Sequence, residues 1–190
     1  MSEKLVLVKT LAELKALESY LADKTFISYD CETTGLTKGS EIIGFSVCAE
    51  VDLAYYVVLS YWDVVAQKLQ YLETKAAAAS FLTTLLGKSL IMHNATFDVD
   101  MAYNCFGVDL MPSLHTDTMI LAQLLDENRG VGLKDLGLSI FGAGAKKEQE
   151  EMKASVLANG GLLTKASYEL YKADADLIGL YGAKDTILTL

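Results

Sequence analysis

The stretch at residues 25–36, TFISYDCETTGL, governs how the rest of the chain is interpreted. Its first seven residues are rich in aromatic and β-branched side chains, which predicts a buried β-strand, and the Thr-Thr-Gly that follows predicts a turn. Side chains alternate along a strand, so Asp30 and Glu32 project from one face and Cys31 from the other. Because open α/β sheets bind ligands at the carboxyl ends of their strands, these two acids mark a candidate site.

A third acid follows the second apolar strand of this kind, at residues 89–93. The sequence HNATFD at residues 93–98 begins a helix on which Asp98 shares a face with Ala95 and Ala102. An acid among small apolar residues points into the protein, where its charge needs a counter-ion, a metal or a proton. The alternative interpretation is an acid that interacts with the positive end of the helix dipole.

The fourth acid belongs to the sequence YGAKD at residues 181–185, in a long terminal helix. Tyr181 and Asp185 are four residues apart and share one face with Leu177 and Leu188. An acid on an otherwise apolar helix face again indicates a functional role for its carboxylate. A buried tyrosine beside a capping acid is the alternative here.

All four carboxylates are expected at one end of a small sheet. Two unit charges 4 Å apart repel each other by roughly 4 kcal/mol at an effective dielectric constant near 20, so such a cluster needs protons or cations. Oxygen ligands without His or Cys select hard ions, and the sequence therefore predicts Mg²⁺ or Mn²⁺. Two such ions roughly 3.5–4 Å apart promote in-line displacement at phosphorus.

Composition narrows the class of protein. A chain of 190 residues suggests one domain with a sizeable core. With 25 acidic and 16 basic residues, its formal charge of −9 argues against a broad basic surface for nucleic acid. Three cysteines without a CxxC pair, and only two histidines, argue against structural zinc and a disulfide scaffold. The absence of a signal sequence and of a long apolar run predicts an intracellular, cytoplasmic protein with no membrane segment.

Hydrophobic periodicity predicts an α/β protein. A first helix, capped by Thr10, covers residues 11–21, and a longer one covers most of residues 62–86. Further helices are expected from Asn94 or Thr96 to about residue 106 and at 119–125, 133–141 and 174–190. Residues 126–165 have the least regular pattern of apolar residues, and the charged run at residues 146–153 does not indicate one type of secondary structure. Residues 167–172 suggest a short helix. Strands are predicted at 4–9, 25–31, 41–49, 53–59 and 89–93.

The sequences DCETTGL, HNATFD and YGAKD resemble the three motifs of the DEDD superfamily of 3′–5′ exonucleases. The tyrosine of the third motif places the resemblance in the DEDDy branch, and it is strongest to the proofreading domain of family A (polymerase I-like) DNA polymerases. Residues 115–142, HTDTMILAQLLDENRGVGLKDLGLSIFG, are also similar to that family. The resemblance implies a ribonuclease H-like mixed five-stranded sheet, an antiparallel meander plus parallel strands, flanked by helices. It implies one exonuclease domain over residues 1–190.

The same resemblance implies roles for the acids. Asp30, Glu32 and Asp185 would hold the tighter of two divalent ions, and Asp30 would bridge to the second. Asp98 would hold the second ion, directly or through water. Tyr181 would orient the attacking water or help to deprotonate it.

Residues beside the motifs would contact the nucleic acid. Thr33, Thr34 and Leu36 would lie near the terminal nucleotide, which they would approach with backbone amides and an apolar wedge. Asn94 and Phe97 would contact or support the substrate strand, and for Phe97 a plain core role is an equal alternative.

Two neighbouring residues and the end of the chain complete the comparison. His93 is expected to be a packed neighbour rather than a ligand, and Asp117 a capping or supporting residue rather than a fifth metal ligand. The chain ends five residues after Asp185, whereas a family A polymerase continues into its polymerase domain. It is therefore either an excised piece of a polymerase or a free-standing exonuclease.

The leading hypothesis is a metal-dependent 3′–5′ exonuclease that acts on single-stranded or frayed 3′ DNA ends. It would proofread for a DNA polymerase domain in cis or in trans. One alternative is a ribonuclease D-like exoribonuclease, because the metal chemistry does not distinguish DNA from RNA. Another is a nucleic-acid-binding module without catalysis, which the intact acids argue against. A dinucleotide-binding oxidoreductase is disfavoured because the only Gly-Ala-Gly, at residues 142–144, follows a helix rather than a strand.

Overall fold

The computed structural model describes residues 3–37, 39–142, 146–164 and 167–190. The strands are β1 (Lys4–Val8), β2 (Phe26–Thr33), β3 (Ile42–Glu50), β4 (Leu53–Val58), β5 (Ser60–Asp63), β6 (Lys68–Tyr71), β7 (Ser89–Met92) and β8 (Leu114–Asp117). One mixed sheet of six strands has the order β1-β4-β3-β2-β7-β8, and a separate hairpin is formed by β5 and β6. Strand β3 runs antiparallel to β2 and β4, whereas the pairs β1–β4, β2–β7 and β7–β8 are parallel.

The sequence predicted a mixed sheet, and this is confirmed, but the expected number of five strands was one too few. The additional edge strand is β8, which pairs with β7 through Thr116 and Asp117. Its four residues are Leu-His-Thr-Asp, and three of them are polar, so it lacks the apolar alternation that marks a strand.

The helix predicted over residues 62–86 was wrong in its first part. Residues 60–71 form the β5–β6 hairpin, and the helix that follows, α2 (Glu73–Thr84), begins only at Glu73. At the hairpin turn, the Asp63 carboxylate accepts hydrogen bonds from the backbone amides of Val65 and Ala66, and Gln67 has a φ of 51°. An Asx turn of this kind reverses the direction of the chain. The sequence did not reveal the hairpin because the aromatic residues on either side of the turn are equally compatible with one face of a helix.

Seven α-helices lie among the described residues. Thr10 forms the expected capping box with Glu13 at the start of the first helix. The segment 126–165, which looked least regular in sequence, contains two helices, and of residues 167–172 only Leu170–Lys172 form a short 3₁₀ turn. The helices are α1 (Leu11–Leu21), α2 (Glu73–Thr84), α3 (Ala95–Phe106), α4 (Thr118–Leu125), α5 (Leu133–Phe141), α6 (Lys147–Ala158) and α7 (Ala175–Thr189).

Helices cover the sheet on both faces. The face that carries Ile27, Tyr29 and Phe45 packs against α1, α2 and α3 in one large apolar cluster. The opposite face packs against α6 and α7, where Tyr56 and Met152 are buried in a second cluster. None of the helices in the described part of the chain is long and apolar enough to cross a bilayer.

Helix α7 lies unusually close to the sheet because of glycines. A Cβ atom at Gly179 would collide with the Leu7 side chain and would lie 3.0 Å from the ring of the buried Tyr56. A Cβ atom at Gly182 would lie 3.0 Å from the same ring and 3.4 Å from Cγ of Glu32, and one at Gly44 would overlap the Tyr56 hydroxyl. The Tyr56 ring is therefore held between the sheet and bare helix backbone.

Candidate active site

Three of the four acids predicted from the sequence come together where β2 meets α7. Carboxylate oxygens of Asp30, Glu32 and Asp185 all lie within 4.8 Å of one another. Glu32 and Asp185 are buried, whereas Asp30 is partly exposed. The alternation predicted for β2 is observed, since Ser28 on the same face donates a hydrogen bond of 2.7 Å to a backbone carbonyl of α7.

The fourth acid, Asp98, approaches this cluster from the other face of the sheet. It is 2% exposed, and its Oδ1 accepts a hydrogen bond of 2.9 Å from the backbone amide of Cys31, between the two acids of β2. Ala95 and Ala102 on the same helix face are buried, as the sequence predicted, while Asp100 is exposed. Asp98 therefore points into the protein, beside the three-carboxylate group rather than within it.

Asp117, rather than a residue of the helix itself, caps the start of α3. Asn94, one of the two N-cap residues that the sequence predicted, occupies the N-cap position with a left-handed φ of 63°, but its side chain makes no capping hydrogen bond. Instead, the Asp117 carboxylate accepts hydrogen bonds from the backbone amides of Asn94 and Ala95. It also accepts one from the amide of Met119 at the start of α4, so one carboxylate holds two helix ends together.

Burial and mutual repulsion make these carboxyl groups poor acids. Burial raises the pKa of Asp30 to about 7, and the nearby Lys134 ammonium opposes that rise. Burial, and then the charge of Asp30, raise the pKa of Glu32 and of Asp98 well above their ordinary values. A divalent cation that binds this group would therefore have to displace protons from it.

Tyr181, on α7, lies beside these acids. Burial first, and then the charges of Glu32 and Asp30, raise the pKa of its phenol well above the ordinary value. The hydroxyl therefore stays protonated at neutral pH and is able to donate a hydrogen bond, but it does not act as a base.

Lys134 of α5 reaches the same place, and the sequence analysis gave it no role. Its ammonium forms an ion pair with Oδ1 of Asp185 and lies 4.4 Å from the centroid of the Tyr181 ring. Burial lowers the pKa of Lys134 to about 8, against the opposing influence of Asp30 and Glu32. The only signal in the sequence was one lysine, next to Asp135, in the otherwise apolar segment GLKDLGL, and the direction of its side chain is ambiguous until the helix is positioned.

The residues expected to contact nucleic acid lie next to the carboxylates. Thr33 is buried and donates a hydrogen bond to the Gly35 carbonyl, and Thr34 accepts one from the Glu41 amide, so both fix the turn after β2. Leu36 is 82% exposed at the tip of this turn. Its exposure suits the predicted apolar wedge.

Two clefts flank this turn. The larger, of about 720 Å³, is lined by Leu36 and Phe97 together with residues of α3. Phe97 also packs on the apolar cluster, so both of the roles considered for it fit. The smaller cleft contains Trp62 and Tyr171, whose rings meet edge to face, and the sequence analysis did not identify either. Asn94 is exposed at the start of α3, and His93 pairs with Thr118 through a 2.9 Å hydrogen bond.

The donor set fits a divalent cation. Three carboxylates converge without histidine or cysteine among them, the arrangement that Mg²⁺ and Mn²⁺ prefer. Asp185 Oδ1 is buried, and in the described part of the chain its partner is the ammonium of Lys134, so this oxygen already faces a positive charge. The cofactor predicted from the sequence is therefore confirmed at the level of the ion class.

Comparison with known proteins agrees with this geometry. A family model described as a 3′–5′ exonuclease, of the DNA polymerase A type, matches residues 5–190. The chain belongs to this exonuclease family. The resemblance found in the three sequence motifs is thereby confirmed.

Individual relatives are distant. DNA polymerase I of Treponema pallidum (strain Nichols) is 26% identical, and the match covers 68% of this chain and 16% of that polymerase. The catalytic core of RRP6 from Trypanosoma brucei superposes with a TM-score of 0.67 at 18% identity, over 98% of this exonuclease chain and 44% of that one. RNase D of Escherichia coli superposes with a TM-score of 0.60 at 16% identity, over 99% of this chain and 42% of the RNase D chain. The fold is that of the ribonuclease H-like exonucleases.

Proposed function

We propose that this exonuclease releases nucleotides from the 3′ end of DNA and proofreads for a DNA polymerase. The observation that carries the proposal is the group of Asp30, Glu32 and Asp185, whose carboxylate oxygens lie within 4.8 Å of one another. The turn that follows β2 contributes Leu36 to the larger cleft. The similarity to DNA polymerase I supports DNA as the substrate, although this chain spans only 16% of the length of that polymerase.

Each acid has a proposed task. Asp30, Glu32 and Asp185 hold one divalent ion, and Asp98 completes the site for a second from the other side of β2. When bound, two such ions acidify the attacking water and neutralise charge that develops on the phosphate and on the leaving 3′ oxygen.

The remaining groups position the substrate. Tyr181, which keeps its proton, donates a hydrogen bond that orients the attacking water. Thr33, Thr34 and the exposed Leu36 receive the terminal nucleotide. Phe97 supports the strand along the larger cleft, and Asn94 supports it from the start of α3.

The charge of the chain favours a partner. Two divalent ions would change the formal charge from −9 to −5, so attraction to the phosphate backbone stays weak. We therefore propose that a polymerase domain, in cis or in trans, supplies the affinity for DNA that this domain lacks.

A second candidate function is 3′–5′ exoribonuclease activity. It is favoured by the fold shared with RNase D of Escherichia coli, which is an exoribonuclease involved in structured RNA processing. The two candidates differ in whether the site accepts a 2′-hydroxyl at the terminal sugar.

The test is digestion of 5′-labelled single-stranded DNA and RNA of identical sequence, with Mg²⁺, Mn²⁺ or a chelator. We expect stepwise shortening of DNA from the 3′ end with either ion and none with the chelator. Asp98→Asn should abolish shortening, whereas Asp23→Asn, at an acid whose side chain is 82% exposed, should not change it.

Each alternative has its own result. Faster shortening of RNA than of DNA would favour the exoribonuclease. Binding of either strand without cleavage would favour a module that has lost catalysis. Shortening that persists in chelator, once metal removal has been verified, would contradict the metal mechanism.

A further inference from the structure

Lys134 occupies a position that a cation would be expected to hold. Its side chain is 13% exposed, and its ammonium contacts Asp185 Oδ1, an oxygen of the three-carboxylate group. The ring of Tyr181 covers the same ammonium at 4.4 Å, so a cation–π contact adds to the ion pair.

The surroundings of this ammonium are strongly acidic. Asp30, Glu32 and Glu148 all lie close enough to interact with its charge. Glu148 belongs to α6, and one of its carboxylate oxygens is buried without a hydrogen-bond partner among the described residues. Lys134 is therefore the counter-ion of a carboxylate group assembled from β2, α6 and α7.

An ammonium in contact with Asp185 Oδ1 and a metal ion on that same oxygen exclude each other by size and by charge. We propose that Lys134 is an internal competitor for the divalent cation. It neutralises the carboxylates in the metal-free protein and is displaced towards solvent when the metal binds. This inference rests on the metal site of the proposed function.

The helix that carries Lys134 is suited to this exchange. Only Leu136 and Gly137 of α5 are buried, whereas Leu138, Ile140 and Phe141 are 41–67% exposed. A helix with so few buried contacts shifts, or releases one side chain, at little cost. The ammonium of Lys134 is thus held in place mainly by its attraction to the carboxylates. A metal ion that neutralises these carboxylates weakens that attraction.

The first experiment measures metal affinity without catalysis. Mn²⁺ is titrated into the parent, Lys134→Met and Lys146→Met at fixed pH, and free Mn²⁺ is followed by electron paramagnetic resonance. Lys146 is a matched control because it also pairs with an aspartate, Asp135, but on the exposed surface. We expect Kd to fall by about tenfold or more in Lys134→Met alone, since an adjacent unit charge changes cation or proton affinity on this scale.

The second experiment uses the unaltered protein and so does not depend on a variant that folds. An amine-acetylating reagent is applied briefly with and without Mg²⁺, and modification of each lysine is measured by peptide mass spectrometry. We expect Mg²⁺ to accelerate modification of Lys134 severalfold and to leave Lys146 unchanged.

The outcomes separate this inference from the proposed function. If Mn²⁺ binds the parent and Lys134→Met equally, or if Mg²⁺ leaves the modification of Lys134 unchanged or slower, the competition is refuted and the metal site stands. If no Mn²⁺ binds to any of the three proteins, the metal site itself is refuted, and the competition with it.

Discussion

At the scale of single residues, the environment of Tyr181 defines what its hydroxyl is able to do. Tyr181 is partly buried, and desolvation together with the charges of Glu32 and Asp30 raises the pKa of its phenol, so the phenol remains protonated throughout the neutral range. A protonated phenol orients water but does not remove its proton.

We therefore predict that Tyr181→Phe slows cleavage by about 10- to 1,000-fold, the usual range for a group that orients or transfers a proton. Single-turnover measurements with saturating metal test this, and Mn²⁺ affinity should change little. Tyr103→Phe, at a tyrosine that is 61% exposed on α3, serves as the control and should cleave at the parental rate. A parental rate for Tyr181→Phe would show that the third motif has another purpose.

A second prediction at this scale concerns the stability of the metal-free protein. Because the pKa of Asp30 is raised to about 7, the folded protein keeps a proton on this carboxyl that the unfolded chain has released above about pH 4. The folded state then binds more protons than the unfolded state, so this group lowers the free energy of unfolding as pH rises from about 4 to 7.

Asp30→Asn should remove this pH-dependent loss of stability, because an amide does not titrate in this range. In chelator, the free energy of unfolding of the variant minus that of the parent should increase with pH and reach about 4 kcal/mol above pH 7, because each pKa unit corresponds to about 1.4 kcal/mol. Urea titrations at several pH values measure it. Adding Mg²⁺ should then raise the melting temperature of the parent more than that of the variant. Equal shifts would mean that Asp30 is not a ligand.

At the scale of elements, Asp117 couples β8 to two helices. Its carboxylate accepts amide hydrogen bonds from the starts of both α3 and α4, and α3 carries Asp98. Negative charge at a helix N-terminus is also favourable to the helix dipole.

Asp117→Ala should therefore lower the free energy of unfolding by about 2 kcal/mol, since typical caps contribute about 1 kcal/mol each. Asp109→Ala is the matched control, because the Asp109 carboxylate accepts one amide hydrogen bond, from Met111, at an exposed turn. Denaturant titration of both variants provides the comparison. Losses of equal size would contradict the double cap.

Elements also show where sequence reasoning succeeded and where it could not succeed. The sequence correctly predicted that Asp30 and Glu32 share a face, because the alternation of side chains along a strand is a local property that a short segment is enough to define. Trp62 was assigned to a helix because aromatic residues around a turn fit both periodicities. Lys134 could not be placed, since its partner Asp185 lies in another helix and only tertiary packing brings the two together.

At the scale of the whole molecule, the carboxylate group lies where β2 ends, the turn that follows borders the larger cleft, and the chain carries a net negative charge. A duplex end has to fray before its terminal phosphodiester enters such a site, and unpairing costs a few kcal/mol. Single strands avoid this cost, and mismatched ends reduce it.

We predict that a single-stranded 3′ end is shortened fastest, a mismatched duplex end more slowly and a fully paired end slowest. Rapid-quench measurements on three labelled substrates that share one sequence at the 3′ end establish the order. Release from the 5′ end, or efficient cutting of a closed circle, would contradict the assignment as a 3′–5′ exonuclease.

The close approach of α7 to the sheet also determines the dimensions of the metal site. Asp185 is carried by α7 and Asp30 by β2, and the ring of Tyr56 lies between the sheet and the glycines of that helix. The distance across the carboxylate group is thus set by the thickness of one aromatic ring in the core. Positions 44, 56, 179 and 182 form a single unit in consequence. Sequence change at any one of them has to be matched at the others if the protein is to keep a pocket of the right width for its ions.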